Sequence, residues 1–152
     1  MKFVLNGGLI IGTCDGANIE ITRKIGEDRI FLFGHLAEDV EELRHAHRYG
    51  KHELDPALKA VFAEIEKGTF GDANIFGGLI NAVNSGDYYL VSDDFASYLA
   101  THKLVDEAFK DTASWANKTI MSVAAMGFFS SDRAIAEYAD AIWNIEPSKV
   151  KA

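Results

Sequence analysis

The chain has a single cysteine, Cys14, and two prolines, and nowhere in its 152 residues is there an apolar run near the ~20 residues that cross a bilayer. A lone cysteine excludes an internal disulfide and suits a reducing compartment. Basic residues are also scarce: 15 Lys and Arg against 23 Asp and Glu leave a net charge of −8, which argues against nucleic acid or an anionic membrane as the main partner. Lys2 is the only charge near the start, and Asn6-Gly7-Gly8 interrupts the apolar stretch that follows it, so there is no signal-peptide pattern. Neither GxGxxG nor GxxxxGK[ST] occurs, and no Ser–His–acid spacing stands out. The expectation is a soluble, cytoplasmic, one-domain chain, with 48% apolar and 25% charged residues as in ordinary globular proteins.

What is present reads as an α/β pattern. "LIIGT" (9–13) and "RIFLFG" (29–34) are short apolar runs of the buried-strand kind. Between them, Asp15-Gly16 marks a turn, followed by a short helix ending at Gly26. Leu36, Val40, Leu43 and His47 share one face of an amphipathic helix. Asp55-Pro56 writes a helix start, since Asp caps free N–H groups and Pro fits the first turn. The stripe Leu58, Val61, Phe62, Ile65 follows, closed by Gly68. A weaker helix is expected over 74–86, because Gly77-Gly78 lowers propensity.

"DYYLVS" (87–92) reads as a third strand, and Ser92-Asp93-Asp94 as a cap cluster for a helix from Phe95 to Phe109 with Tyr98, Leu99, His102 and Val105 inward. Further helices are expected from Trp115 to Met126 and over 130–144. The last has Ile135, Tyr138, Ala139, Ile142 and Trp143 in a stripe, Ser131 and Asp132 at its positive end, and Pro147 as its stop. Three short strands make a thin sheet for this length, as if they were one edge of a larger parallel sheet.

The residues themselves point to little chemistry. "LIIGTCDGAN" is a strand, a Gly-bearing turn and a helix, a shape that can present N–H groups to an anion but serves equally as plain turn chemistry. His35, His45, His47 and His52 match no zinc spacing, so no metal ligand is assigned. His45 and His47, two apart, do not face each other on a helix. His102 reads as a core histidine and Cys14 as a buried small hydrophobe beside a strand end, while Asp93-Asp94 are explained by capping.

Specific strings carry more. "MKFVLNGGLIIGTCDGANIEITRKIGED", "IFLFG", "YYLVSDDFASYLATH", Trp115 and "FFSSDRAIAEYADAIWNIEP" together resemble the α-glucan (glycogen or starch) phosphorylases, collinearly over the whole chain and with fungal-like wording. The resemblance implies a glycosyltransferase of glycogen catabolism, performing PLP-dependent phosphorolysis of α-1,4-glucan to α-D-glucose 1-phosphate. It implies pyridoxal 5'-phosphate as cofactor, held as a Schiff base on Lys2 of Met1-Lys2-Phe3, with the cofactor's phosphate as the working group. A lysine in that role must offer a neutral amine, which burial favours.

It further implies that residues 1–152 are the C-terminal part of a partial Rossmann-like (GT-B type) PLP/nucleotide-fold domain with extra C-terminal helices. Residues 130–144 would be a terminal helix crossing to another domain, and the full-length enzyme a homodimer. The Gly-Thr-Gly-Asn string that precedes the motif in that family is not in this sequence. The chain is therefore expected to be a fragment, from a truncated gene model or partial transcript, and inactive alone. A non-catalytic short module that binds full-length phosphorylase or another protein is the alternative.

Overall fold

The computed structural model describes residues 1–49, 53–146 and 148. It is mostly helical around one small sheet. A single-turn helix α1 (Lys2–Leu5) leads into strand β1 (Ile10–Thr13), helix α2 (Gly16–Ile25) and strand β2 (Ile30–Phe33). The two strands pair in parallel, with Ile10 opposite Ile30 and Thr13 opposite Phe33. Parallel neighbours need a crossover, and α2 provides it. Gly12 is required within β1, since a Cβ there would lie 2.7 Å from the Asn18 amide nitrogen that donates to Thr13 O.

Among the described residues there follow α3 (Val40–Arg48), α4 (Pro56–Glu66), α5 (Gly77–Asn84), α6 (Val91–Lys110), α7 (Thr112–Ala125), α8 (Ser131–Tyr138) and a π turn (Ala139–Trp143). Shorter 3-10 turns fill Glu27–Arg29, Ala73–Phe76 and Met126–Phe129.

Two apolar clusters organise these elements. In the first, Val4, Ile21, Ile25, Ile30 and Met126 are buried together, so α1, α2, β2 and the end of α7 share one core. In the second, Leu58, Phe62, Ile80 and Val83 lock α4 to α5, with Phe95 of α6 against them. Helix α6 also covers β2: Tyr98 meets Phe33 edge-on at 5.2 Å, and the Thr101 hydroxyl donates to Leu32 O. Trp115 of α7 stacks beside Phe31.

The start of α4 is as its sequence implies. Asp55 accepts from Ala57 N and Leu58 N with Pro56 in the first turn, and Asp55 N itself donates to Ser92 Oγ. Replacing Asp55 by Ala should destabilise the chain by ~1 kcal/mol. Urea unfolding followed by circular dichroism measures this, and an unchanged midpoint would show that the cap contributes nothing.

Several expectations are corrected. Residues 87–92 are not a third strand, so among the described residues the sheet has two strands. Asp87 and Leu90 have positive φ (35° and 56°), which turns the chain, and Asp87 accepts from Val91 N and Ser92 N to start α6 four residues before Phe95. That side chain competes with a ladder and wins. Helix α3 begins at Val40, leaving Leu36 exposed ahead of it, and Val61 and Leu99 are exposed rather than inward.

Two glycines that weakened the 74–86 helix sit at the first turn of α5, where loss of helix propensity matters least. The final helix is α8 plus the π turn, ended by Asn144 in the left-handed conformation; Pro147, expected as its stop, lies outside the described residues.

Candidate functional site

Lys2 opens α1. The helix is one turn long and too short to persist by itself, so its position comes from tertiary packing. Val4 is 1% exposed in the first core cluster. Leu5 N donates to Met1 O, Gly8 N to Phe3 O, and the Asn6 amide to Lys2 O. Thr119 of α7 donates to Gly7 O. The backbone of Lys2 is thereby fixed while its side chain is exposed and, among the described residues, makes no hydrogen bond or ion pair. Phe3 and Leu5 beside it are exposed and apolar.

The carboxyl ends of the two strands form a second feature, the place where open parallel sheets usually bind ligands. Thr13, Asp15, His35, Arg44, Tyr89 and Asp94 line an open cleft of about 430 Å³ there. Gly34 makes its floor possible: with φ +81° and room only for hydrogen, it lets the Asp94 carboxylate lie where a Cβ would be 2.7 Å away. Asp94 then accepts from His35 N at 2.9 Å and meets His35 Nδ1 at 2.8 Å, while Gly34 N donates to Ser97 Oγ. Arg44 is held by Tyr88 O and Glu41, its guanidinium over the Tyr88 ring. Lys2 does not line this cleft.

The other singled-out residues separate. Asp15 is the residue before α2, without a side-chain cap bond, and Gly16 after it has φ +46°; Cys14 is half-buried rather than buried. His45 is exposed against Tyr49, whereas His47 is buried, as their two-residue spacing implies. His102 donates to or accepts from Tyr98 Oη at 2.8 Å inside the α6 face, and is half-buried. His52 lies outside the described residues. Asp93 and Asp94 do not cap α6. They stand in its first turn and face His47 and His35, and the capping carboxylate is Asp87.

Comparison with known proteins decides the family. The sequence profile described as "Phosphorylase: Carbohydrate phosphorylase" matches residues 1–145, which include Lys2 and all of β1 to α8. The chain belongs to the carbohydrate phosphorylase family. Among curated proteins it is similar to a glycogen phosphorylase of Saccharomyces cerevisiae, 59% identical over 97% of this chain and 17% of that protein. A glycogen phosphorylase of Haemophilus influenzae is 44% identical over 97% of this chain and 18% of its own length. The cytosolic alpha-glucan phosphorylase 2 of Arabidopsis thaliana is 45% identical over 99% of this chain and 18% of its own. The chain thus spans under a fifth of the length of these phosphorylase relatives, and it is more similar to the yeast protein than to the other two.

Pyridoxal phosphate, which the phosphorylase family implies, attaches through its aldehyde carbon. Such an attachment needs a primary amine on a fixed backbone; Lys2 has the fixed backbone, but its side chain is exposed, so the burial that favours a neutral amine is absent in this structure. The apolar neighbours Phe3, Val4 and Leu5 offer nothing to a phosphate. A lysine amine is chemically able to take the attachment end of that group.

Proposed function

We propose that this chain is part of an α-glucan phosphorylase, which uses inorganic phosphate to cleave α-1,4-glucan ends and releases α-D-glucose 1-phosphate. The observation that carries the proposal is the family match beginning at Met1-Lys2-Phe3, with relatives named glycogen and alpha-glucan phosphorylases at 44–59% identity. Lys2 would hold pyridoxal 5'-phosphate through its side-chain amine. Once bound, the cofactor supplies a phosphate group placed to exchange a proton or charge with substrate phosphate, rather than an electron sink. The work of this chain's own residues is positional: Val4 anchors α1 in the core, and the Gly7–Thr119 contact ties its end to α7.

The same reading gives β1-α2-β2 a place as the edge of a Rossmann-like, GT-B type sheet. Residues 1–152 are then the C-terminal part of the cofactor domain, and 130–144 a helix that crosses to another domain. The exposure of Ile135, Tyr138, Ile142 and Trp143 supports that last point. A cytoplasmic, homodimeric enzyme acting on glucan and phosphate belongs to this reading. No described helix is long and apolar enough to cross a membrane.

The test starts from native material. The protein carrying this segment is recovered from its cells with an antibody to residues 112–125, then reduced with borohydride and digested. The expected result is glucose 1-phosphate release from glycogen before reduction and a pyridoxyl mass on the Lys2 peptide after it. An unlabelled Lys2 peptide would remove the cofactor role from Lys2, and absence of phosphorolysis would remove the function.

A further inference from the structure

Beside the residues that line the cleft, three side chains from separate elements converge. His47 ends α3 and has 3% of its side chain exposed; Asp87 lies in the turn before α6 and is 2% exposed; Asp93 lies in the first turn of α6 with 23% of its side chain exposed. One ligand atom from each lies within 4.8 Å of the other two. We infer that His47, Asp87 and Asp93 form a structural site for a first-row divalent transition metal, zinc being the reference ion, that ties α3 to the start of α6.

Three features of the geometry support this. First, His47 Nδ1 is 3.3 Å from Gly86 O, so its N–H is directed to a backbone carbonyl and Nε2 is turned toward the Asp93 carboxylate. Outer partners of that kind fix the tautomer and ring orientation of metal-binding histidines. Second, His47 Nε2 and Asp93 Oδ2 approach to 2.9 Å, yet Oδ2 is buried without an aligned hydrogen bond. Two lone-pair atoms aimed at a common third point look this way; an imidazolium–carboxylate pair would align its N–H on the oxygen.

Third, Asp87 is held in place by Val91 N at 2.9 Å and Ser92 N at 2.7 Å, and a carboxylate has lone pairs to spare after two such bonds. Its backbone φ of 35°, unusual for a residue other than glycine, is what carries it into the cluster.

The donor set selects the ion. One imidazole with two carboxylates suits zinc and its first-row neighbours, whereas magnesium and calcium prefer oxygen alone. Zinc ligands stand ~2.0–2.2 Å from the metal, so the three atoms need to close by roughly an ångström at their widest. The three ligands leave at least one position for water. None of them is used by the proposed phosphorolysis, so this site stands or falls separately from it.

The experiment uses all 152 residues of the chain, stripped with chelator and titrated with zinc against a chromophoric competitor, with cobalt as a spectroscopic probe and magnesium as a control. Wild type is expected to bind one zinc per chain and to develop visible cobalt absorption, with no competition from magnesium. Asp93→Asn keeps the size of this largely buried side chain and leaves the Asp87 bonds to α6 intact. It should weaken zinc by about tenfold or more and abolish the cobalt band while the far-ultraviolet dichroism stays unchanged. His47→Gln should do the same. Failure of wild type to bind zinc, or equal binding by Asp93→Asn, would overturn the site; the second outcome would assign the zinc to other histidines.

Discussion

The purified 152-residue chain, given pyridoxal phosphate, glycogen and inorganic phosphate, is expected to release no glucose 1-phosphate above a Lys2→Ala control. Under the proposed function the chain contributes one residue of a site that must hold cofactor, phosphate and glucan in register. Orienting reactants is worth ~7–11 kcal/mol, and each 1.36 kcal/mol is tenfold in rate. Losing that positioning lowers the rate by about five decades or more, below the reach of a coupled assay. The structure agrees with this scale: Lys2 stands on one exposed turn flanked by Phe3 and Leu5, and it does not open onto the cleft at the strand ends. A reproducible difference between wild type and Lys2→Ala would show that the chain builds a working site unaided.

How much of this was legible in the sequence depends on whether the signal was local. The strands at 10–13 and 30–33 fall within a residue of the apolar runs at 9–13 and 29–34, because a short β-branched and aromatic run between Gly signals has few other uses. Asp55-Pro56 was equally direct, as the cap and the first turn are both written in adjacent residues. "DYYLVS" misled for a physical reason. Its composition is that of a strand, but Asp87 places its carboxylate under two N–H groups of the next helix, and a single side-chain cap outweighs β propensity in a segment with no strand beside it.

The site followed the same division. Lys2 came from its motif and from nothing in composition or periodicity. The Asp94–His35 and Asp93–His47 pairs are joined across 59 and 46 residues, and no spacing rule links positions so far apart. The trace the sequence holds is a pair of adjacent aspartates at a helix start, and capping is an equally good use for such a pair. Zinc spacing rules compare histidines with one another, whereas the partners of His35 and His47 are carboxylates on α6.

The second large effect concerns what the apolar surface does when nothing covers it. Ile135, Tyr138, Ile142 and Trp143 are 48–68% exposed along α8 and the π turn, and Phe3, Ile75 and Ile120 are exposed elsewhere. Fully burying such a side chain is worth ~1.5–3 kcal/mol, so four that are half-buried already have roughly 3–6 kcal/mol left to gain. Association costs an estimated 4–15 kcal/mol, so the α8 face alone does not hold a tight dimer. Exposed apolar side chains spread over several separate elements offer more than one contact, and contacts that do not pair the same surface on both copies do not close on a two-fold axis.

The expected result is loose, open-ended self-association: in sedimentation equilibrium the average mass should climb with concentration from 16.7 kDa and pass twice that value without a plateau. Ile142→Lys with Trp143→Gln should lower the climb, because it removes two of the four exposed apolar side chains along α8 and the π turn. A constant 16.7 kDa across the concentration range would mean that these side chains are tolerated in water, and the case for a covering domain over 130–144 would lose its physical support. A mass that stops at a defined dimer would instead favour the short interaction module, since only a self-complementary face saturates.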